Sequence, residues 1–219
     1  MNVELISITK PEMSGVKKAE DLIAYCARVS NPSNQMNIET SPKLLKFLIE
    51  HKHWSPFEMV DMTLRVETSR AIAAQILRHK SFSFQEFSQR YSKATEYEDV
   101  ELRLQGDKNR QVGEKLLPIN TKAYENISHL LADAASMAHH CYEVMIENGV
   151  AKEVARMILP LNTQTTMYMK GSLRSWIHYI QLRIEKNTQK EHRIIAERCK
   201  KIFIKEFPII SEALEWKTI

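Results

Sequence analysis

A chain of 219 residues, 43% hydrophobic and 26% charged, has the make-up of an ordinary folded globule, long enough to bury a core, which excludes disorder and collagen-like repeats. Its 31 Lys plus Arg against 27 Asp plus Glu leave a net charge of +4, which leans toward anionic ligands and is too small to argue for nucleic acid. No apolar run reaches the roughly 18–20 residues of a membrane span, and the first residues carry no signal-peptide pattern. The five glycines form neither G-x-G-x-x-G nor a P-loop, so any nucleotide or flavin must be held by other means.

In chain order, Val3 to Ile8 alternates apolar and polar and predicts a strand. Ser14 opens a helical pattern that runs through Leu22, Ile23 and Cys26 to Val29, and Asn31-Pro32 with Asn34 predicts a loop. Ser41-Pro42 reads as an N-cap followed by Pro at the first helical position, with Leu44, Leu45, Leu48 and Ile49 on one face. Phe57 to Thr68 alternates and predicts a strand. Ser69 would then cap a helix from Arg70 to about His79. Phe82 to Tyr91 is short and aromatic-rich, strand or irregular. Glu98 to Pro118 is polar, contains Gly106 and Gly113, and is expected to be a mobile loop.

The longest helical pattern carries Tyr124, Ile127, Leu130, Leu131, Ala134, Ala138, Cys141 and Met145, with Asn148-Gly149 as its stop. Val150 to Leu159 predicts a helix ended by Pro160. Thr163 to Met169 predicts a strand, and Ser172–Arg183 and Gln189–Phe207 predict two more helices, with Trp216 closing a last packing contact. The expected fold is α+β, a small antiparallel sheet with a large helical component, in a single domain over residues 1–219. Cys26, Cys141 and Cys199 are odd in number and far apart. They read as small core residues of a reducing, cytoplasmic compartment and not as disulfides or a zinc site. His51 with His53, and His139 with His140, lack a third ligand at zinc spacing, so no metal is expected.

The densest polar cluster runs from Gln75 to Tyr91. On a helix, Gln75, Arg78 and His79 would share a face, and along a strand Glu86, Ser88 and Arg90 would point to one side. Cations, hydroxyls and an amide together suit an anion: Arg offers a planar fork, Lys a point charge. By themselves these residues leave two other readings open. One is a solvated basic turn. The other is a non-catalytic nucleotide- or RNA-binding patch over Arg78 to Arg90, with Phe82, Phe84, Phe87 and Tyr91 stacking bases.

The cluster resembles the signature of a known family. Arg78-His79-Lys80, seven residues, then Ser88 is similar to the R-H-R-x7-S signature of flavin-dependent thymidylate synthases, and Gln89-Arg90-Tyr91-Ser92 extends the match. His53-Trp54-Ser55-Pro56-Phe57-Glu58 resembles the family's H-x-[ST]-P-F-E segment. Gly149-Val150 to Glu153-Val154-Ala155-Arg156, and on through Leu159-Pro160, resembles its G-V-x-x-E-x-A-R-x-x-L-P segment. Leu173-Arg174-Ser175 through His178 to Leu182-Arg183 resembles its N-x-R-S-x-x-H-x-x-x-L-R segment.

The resemblance implies reductive methylation of dUMP to dTMP. Methylenetetrahydrofolate would supply the carbon, and FAD, bound without a Rossmann fold and reduced by NADPH, the hydride. It implies a homotetramer with shared active sites, and neither a nucleic-acid nor a membrane partner. It assigns catalysis to Arg183, which would face the uracil ring and stabilise negative charge there. It assigns dUMP to Gln75, Arg78, Glu86, Ser88, Gln89, Arg90, Arg156 and Arg183, with Ser88 a nucleotide ligand and not a nucleophile. It assigns FAD to Ser55, Glu58, Arg78, His79, Lys80, Glu86, Ser172, Arg174 and His178. Three positions depart from the pattern: Lys80 replaces an Arg, Met59 stands where His is common, and Ser172 where Asn is common. Lys80 keeps the charge and loses the bidentate fork.

Overall fold

A computed structural model describes residues 1–91, 96–109 and 111–216. Helices dominate. A four-stranded sheet has the order β1 (Asn2–Ile8), β2 (Asp61–Ser69), β6 (Gln164–Ser172), β3 (Ser83–Glu86). A separate antiparallel pair joins β4 (Arg103–Gln105) to β5 (Gly113–Leu116). The helices are α1 (Ala19–Ala27), α2 (Ser41–Glu50), α3 (Arg70–Ile76), α4 (Lys122–Glu147), α5 (Lys152–Ala155), α6 (Leu173–Arg183), α7 (Lys190–Glu206) and α8 (Pro208–Ala213). This is the expected α+β class.

By internal contacts the chain divides into two compact units. The first holds Met1, Glu67–Ile76 and Glu86–Thr166; the second holds Asn2–Val66, Leu77–Gln85 and Met167–Ile219.

The second unit contains most of the large buried side chains, including Phe57, Trp176, Tyr179, Phe203 and Phe207. Each side chain of this size taken out of water contributes about 1.5–3 kcal/mol. Burial leaves polar atoms to satisfy, and the Trp176 indole N–H donates to the Met62 carbonyl at 2.8 Å. Helix α6 begins where Ser172 Oγ accepts from the Ser175 N–H at 3.4 Å, an N-cap. Gly171, just before it, lies under Phe82; a Cβ there would meet the ring at 2.5 Å, so only glycine fits without displacing the ring. At the far end Glu20 accepts from the Ile210 N–H at 2.8 Å and so caps α8, which Pro208 opens. Burial raises the Glu20 carboxyl above its usual range.

The first unit is organised differently. Helix α4 has 26 residues, capped by Thr121 Oγ1 accepting from the Tyr124 N–H at 3.2 Å. It ends as expected, with Asn148 as C-cap and Gly149 at φ +78°. Yet Tyr142 is its only buried residue.

Several expectations need correction. The helix expected from Ser14 starts at Ala19. Ser41 is the first residue of α2 and Thr40 its N-cap, so Pro42 sits one place later than expected. The strand expected from Phe57 starts at Asp61; Pro56 and its neighbours form a 3-10 turn over Ser55–Met59 instead. Helix α5 stops at Ala155 and continues as a 3-10 turn over Arg156–Ile158. The polar segment from Glu98 to Pro118 holds the β4–β5 hairpin, and α8 had no expected counterpart. Among the described residues no helix is long and apolar enough to cross a membrane.

Candidate active site

Helix α3 ends at Ile76, so Arg78 and His79 lie past it and share no helical face with Gln75. The physical reason is Phe82. Its ring is 8% exposed and packs edge-on to Trp176, with centroids 4.8 Å apart. A continuing helix would carry Phe82 away from that contact; instead the chain turns, with the Phe82 N–H donating to the His79 carbonyl at 3.3 Å. Tertiary burial overrides the helical pattern. Likewise β3 stops at Glu86, so Ser88 and Arg90 lie beyond it and are not strand neighbours of Glu86.

In the second unit the decisive contact is between the end of α6 and that turn. Arg183 Nε donates to His79 Nε2 at 2.9 Å. A guanidinium has only donors, so His79 must accept, which requires an uncharged ring with its proton on Nδ1. Burial, then the Arg183 charge, then His178 hold the His79 pKa down to about 4. Behind it His192, on α7, is fully buried and held down to about 3 by burial, Arg183 and His79.

The same unit has a cleft of about 590 Å³ lined by Lys52, Trp54, Glu58, Ser81, Arg174, Ser175, Ile177, His178 and Gln181. Cationic and amide donors on a wall with an indole and an aliphatic face match what an anionic, planar-ringed cofactor needs. Arg174 pairs with Glu58 at 3.0 Å across its rim. Of the residues assigned to FAD by resemblance, Glu58, Arg174 and His178 line this cleft; Ser172 is engaged as the cap of α6. Lys52, Trp54, Ser81 and Gln181 had no assignment. Trp54 stood inside the H-W-S-P-F-E segment, but nothing in the pattern marked its side chain. Nothing in the sequence pointed to His192 either.

In the first unit, Glu86 Oε1 accepts from the Thr165 hydroxyl at 2.9 Å. Gln89 is 2% exposed; its carbonyl accepts from Arg70 at 3.0 Å, and its Nε2 is buried with no hydrogen-bond partner among the described residues. A buried amide donor left open is costly and suits a site that completes itself with a ligand. Arg90 faces Glu153 at 3.4 Å, and Lys152 donates to the Tyr91 carbonyl at 2.8 Å. Ser88 Oγ accepts from the Arg90 N–H at 3.4 Å; among the described residues it has no general base as partner. Arg156 is half-buried in the turn after α5, and Gln75 is half-buried on α3. Thus Gln75, Glu86, Ser88, Gln89, Arg90 and Arg156 belong to the first unit, and Arg78 and Arg183 to the second. Ser92 lies outside the described residues.

The stacking patch over Arg78 to Arg90 loses one of its rings, because Phe82 is core. His51 Nδ1 is 2.9 Å from the Phe47 carbonyl, and His139 Nδ1 is 3.2 Å from the Tyr97 hydroxyl. Among the described residues no three His, Cys, Asp or Glu side chains converge as a metal site requires.

Residues 12–209 match the model of the family described as thymidylate synthase complementing protein. The chain belongs to this family. It is 55% identical over 219 residues to the flavin-dependent thymidylate synthase of Synechocystis sp., covering 99% of this chain and 100% of that one. It is 52% identical over 217 residues to a probable flavin-dependent thymidylate synthase of Paramecium bursaria Chlorella virus 1, with coverage of 99% and 100%. A crystal structure of the UMP/dUMP methylase PolB from Streptomyces cacaoi, bound with 5-Br dUMP, superposes with a TM-score of 0.81 at 24% identity, covering 98% of this chain and 94% of that one. That likeness establishes the shared fold.

Proposed function

We propose that this chain is a flavin-dependent thymidylate synthase, an FAD-dependent methyltransferase that converts dUMP to dTMP with methylenetetrahydrofolate as carbon donor. The observation that carries the reading is the Arg183–His79 contact. A permanently charged guanidinium is fixed through Nε by a neutral imidazole at 2.9 Å. That leaves both Nη nitrogens to face a pyrimidine edge. Placed against N3 and O2, Arg183 would stabilise negative charge on the ring and make C5 more nucleophilic. Preorganised charge of this kind is commonly the largest single contribution to catalysis.

The FAD group falls to Ser55, Glu58, Arg78, His79, Lys80, Glu86, Ser172, Arg174 and His178, and the lining of the 590 Å³ cleft supports three of these. These residues would hold FAD, which when bound and reduced by NADPH would supply the hydride. The dUMP group falls to Gln75, Arg78, Glu86, Ser88, Gln89, Arg90, Arg156 and Arg183. The unpartnered Gln89 amide supports this set, and the cations Arg90 and Arg156 suit a phosphate. Ser88 acts as a ligand, since its partner is a backbone N–H.

The assembly we infer is a homotetramer with shared active sites. Its support is α4, where Ile127, Leu130, Leu131, Met137 and Val144 are 38%, 58%, 40%, 68% and 40% exposed on a helix with one buried residue. Such a stripe marks an interaction surface. Residues 1–219 act as one functional domain in this reading, supported by the family match over 12–209. A cytoplasmic setting accords with three free thiols, Cys26, Cys141 and Cys199.

The test is anaerobic incubation of the purified protein with FAD, NADPH, methylenetetrahydrofolate and dUMP, read as dTMP by chromatography. FAD-dependent dTMP is the expected result. A protein that binds FAD and dUMP yet forms no dTMP contradicts the proposal.

A further inference from the structure

We infer that His192 and Tyr179 are positioning residues that act on Arg183 through His79, by keeping His79 an uncharged hydrogen-bond acceptor. The geometry is a closed set of rings within the second unit. His79 is met edge-on by Tyr179 at 4.9 Å and 82°, by His192 at 6.3 Å and 89°, and by Phe82 at 6.4 Å and 85°. His192 Nε2 and the Tyr179 hydroxyl are 3.2 Å apart, which ties α7 to α6 directly behind His79. Tyr179 and His192 are both fully buried. Three rings thus lie against His79, and its side-chain hydrogen bond is to Arg183.

The charge logic follows from the bond itself. If His79 gained a proton, its Nε2 would become a donor and two cations would face each other at 2.9 Å. The bond would be lost and Arg183 released from its fixed rotamer. Of the groups around His79, the Arg183 and His178 charges resist that proton. From α6 come Arg183, His178 and Tyr179; from α7 comes His192, with the Cys199 thiol next to Tyr179; Arg78 and Lys80 flank it in the chain. Burial raises the Tyr179 phenol and the Cys199 thiol, so both stay uncharged and neither supplies an anion to draw a proton onto His79. Burial, Arg183 and His178 keep His79 near 4 instead of 6.5.

The link to turnover rests on the thymidylate synthase reading, because only there does Arg183 meet substrate; the state of His79 does not. The experiment therefore has two arms. The first follows ring-labelled histidines by NMR across pH in the FAD-bound protein, with His79→Gln used to assign the signal. Wild-type His79 should carry its proton on Nδ1 and should not titrate above about pH 5. The second arm follows kcat/KM for dUMP against pH in the wild type and in His192→Ala, which opens the buried side of His79 to water.

In His192→Ala the His79 pKa should rise toward 6.5, and the acid limb of kcat/KM should rise with it. At pH 6 that lowers kcat/KM by up to about fourfold relative to pH 8, a ratio the wild type does not show. His192→Phe, which keeps the site dry, should retain the wild-type limb. Tyr179→Phe, which deletes only the hydroxyl tie, is the second variant and should move the limb in the same direction by less. A wild-type His79 that titrates near 6.5 overturns the inference. So does a His192→Ala loss that is equal at every pH. If the wild type makes no dTMP, the functional reading fails while the NMR arm still decides the state of His79.

Discussion

Helices α4 and α6 carry similar apolar spacing and serve opposite ends. Helix α6 has 11 residues, of which Leu173, Ser175, Trp176, Ile177, Tyr179 and Ile180 are buried. Helix α4 has 26 residues and buries Tyr142 alone. The stripe of α6 is core, and its polar residues are placed from that base: Arg174 at the cleft, Arg183 on His79. The stripe of α4 is exposed in the single chain, so its energy is available for association. Amphipathic spacing shows that a face will be covered; it does not show what covers it.

The sharpest way to break that comparison is on α4. Leu130→Glu with Met137→Glu places two charges on the exposed stripe. The proposed tetramer should dissociate, read as native mass by sedimentation or light scattering, while the circular dichroism of the subunit persists. A tetramer that survives both charges assigns assembly to another face.

Next in size is the core of α6. Trp176→Ala removes a fully buried indole and leaves the Met62 carbonyl without its donor. A loss of about 3–5 kcal/mol is expected by denaturant unfolding. Leu130→Ala on α4 should cost the isolated subunit far less, because 58% of Leu130 is already exposed. Equal losses at the two positions would erase the distinction between the helices.

The smallest effect sharpens the comparison by pH. His192 is buried with a folded pKa of about 3 against 6.5 for the exposed ring. Between these values the unfolded chain binds the extra proton, so stability must fall as pH is lowered through 6.5 toward 3, and is unaffected by this group above 6.5. The slope from His192 is at most about 1.4 kcal/mol per pH unit. His192→Phe should flatten the dependence measured by urea titration from pH 7.5 to 5. An unchanged slope would mean that His192 is not buried neutral.

Much of this was legible in the sequence. The start of α6 beside Ser172, the stop at Asn148-Gly149 and the end of α6 at Arg183 are local chemistry, and local chemistry is what sequence patterns report. Alternation along Met62, Leu64 and Val66 likewise matches the buried face of β2. What failed was tertiary. The shared face of Gln75, Arg78 and His79 dissolves because Phe82 is drawn into the core, a contact 94 residues distant in sequence from Trp176. The β4–β5 hairpin escaped notice because β5 is exposed throughout and is held by backbone pairing, without an apolar face to read. His192 escaped because a buried imidazole on a helix looks the same whatever it packs against. The residues of the candidate site were found as motifs; the bond from Arg183 to a ring-flanked His79 and the buried Gln89 amide came only from the structure.

The central claim is that Arg183, fixed by a neutral His79, activates the pyrimidine. Its most direct measurement compares wild type and Arg183→Ala for dTMP formation under anaerobic, FAD-saturated conditions, with bound flavin quantified in each by absorbance. The account predicts that dTMP formation falls by at least about a hundredfold while flavin content is retained. Turnover that persists in Arg183→Ala would contradict it.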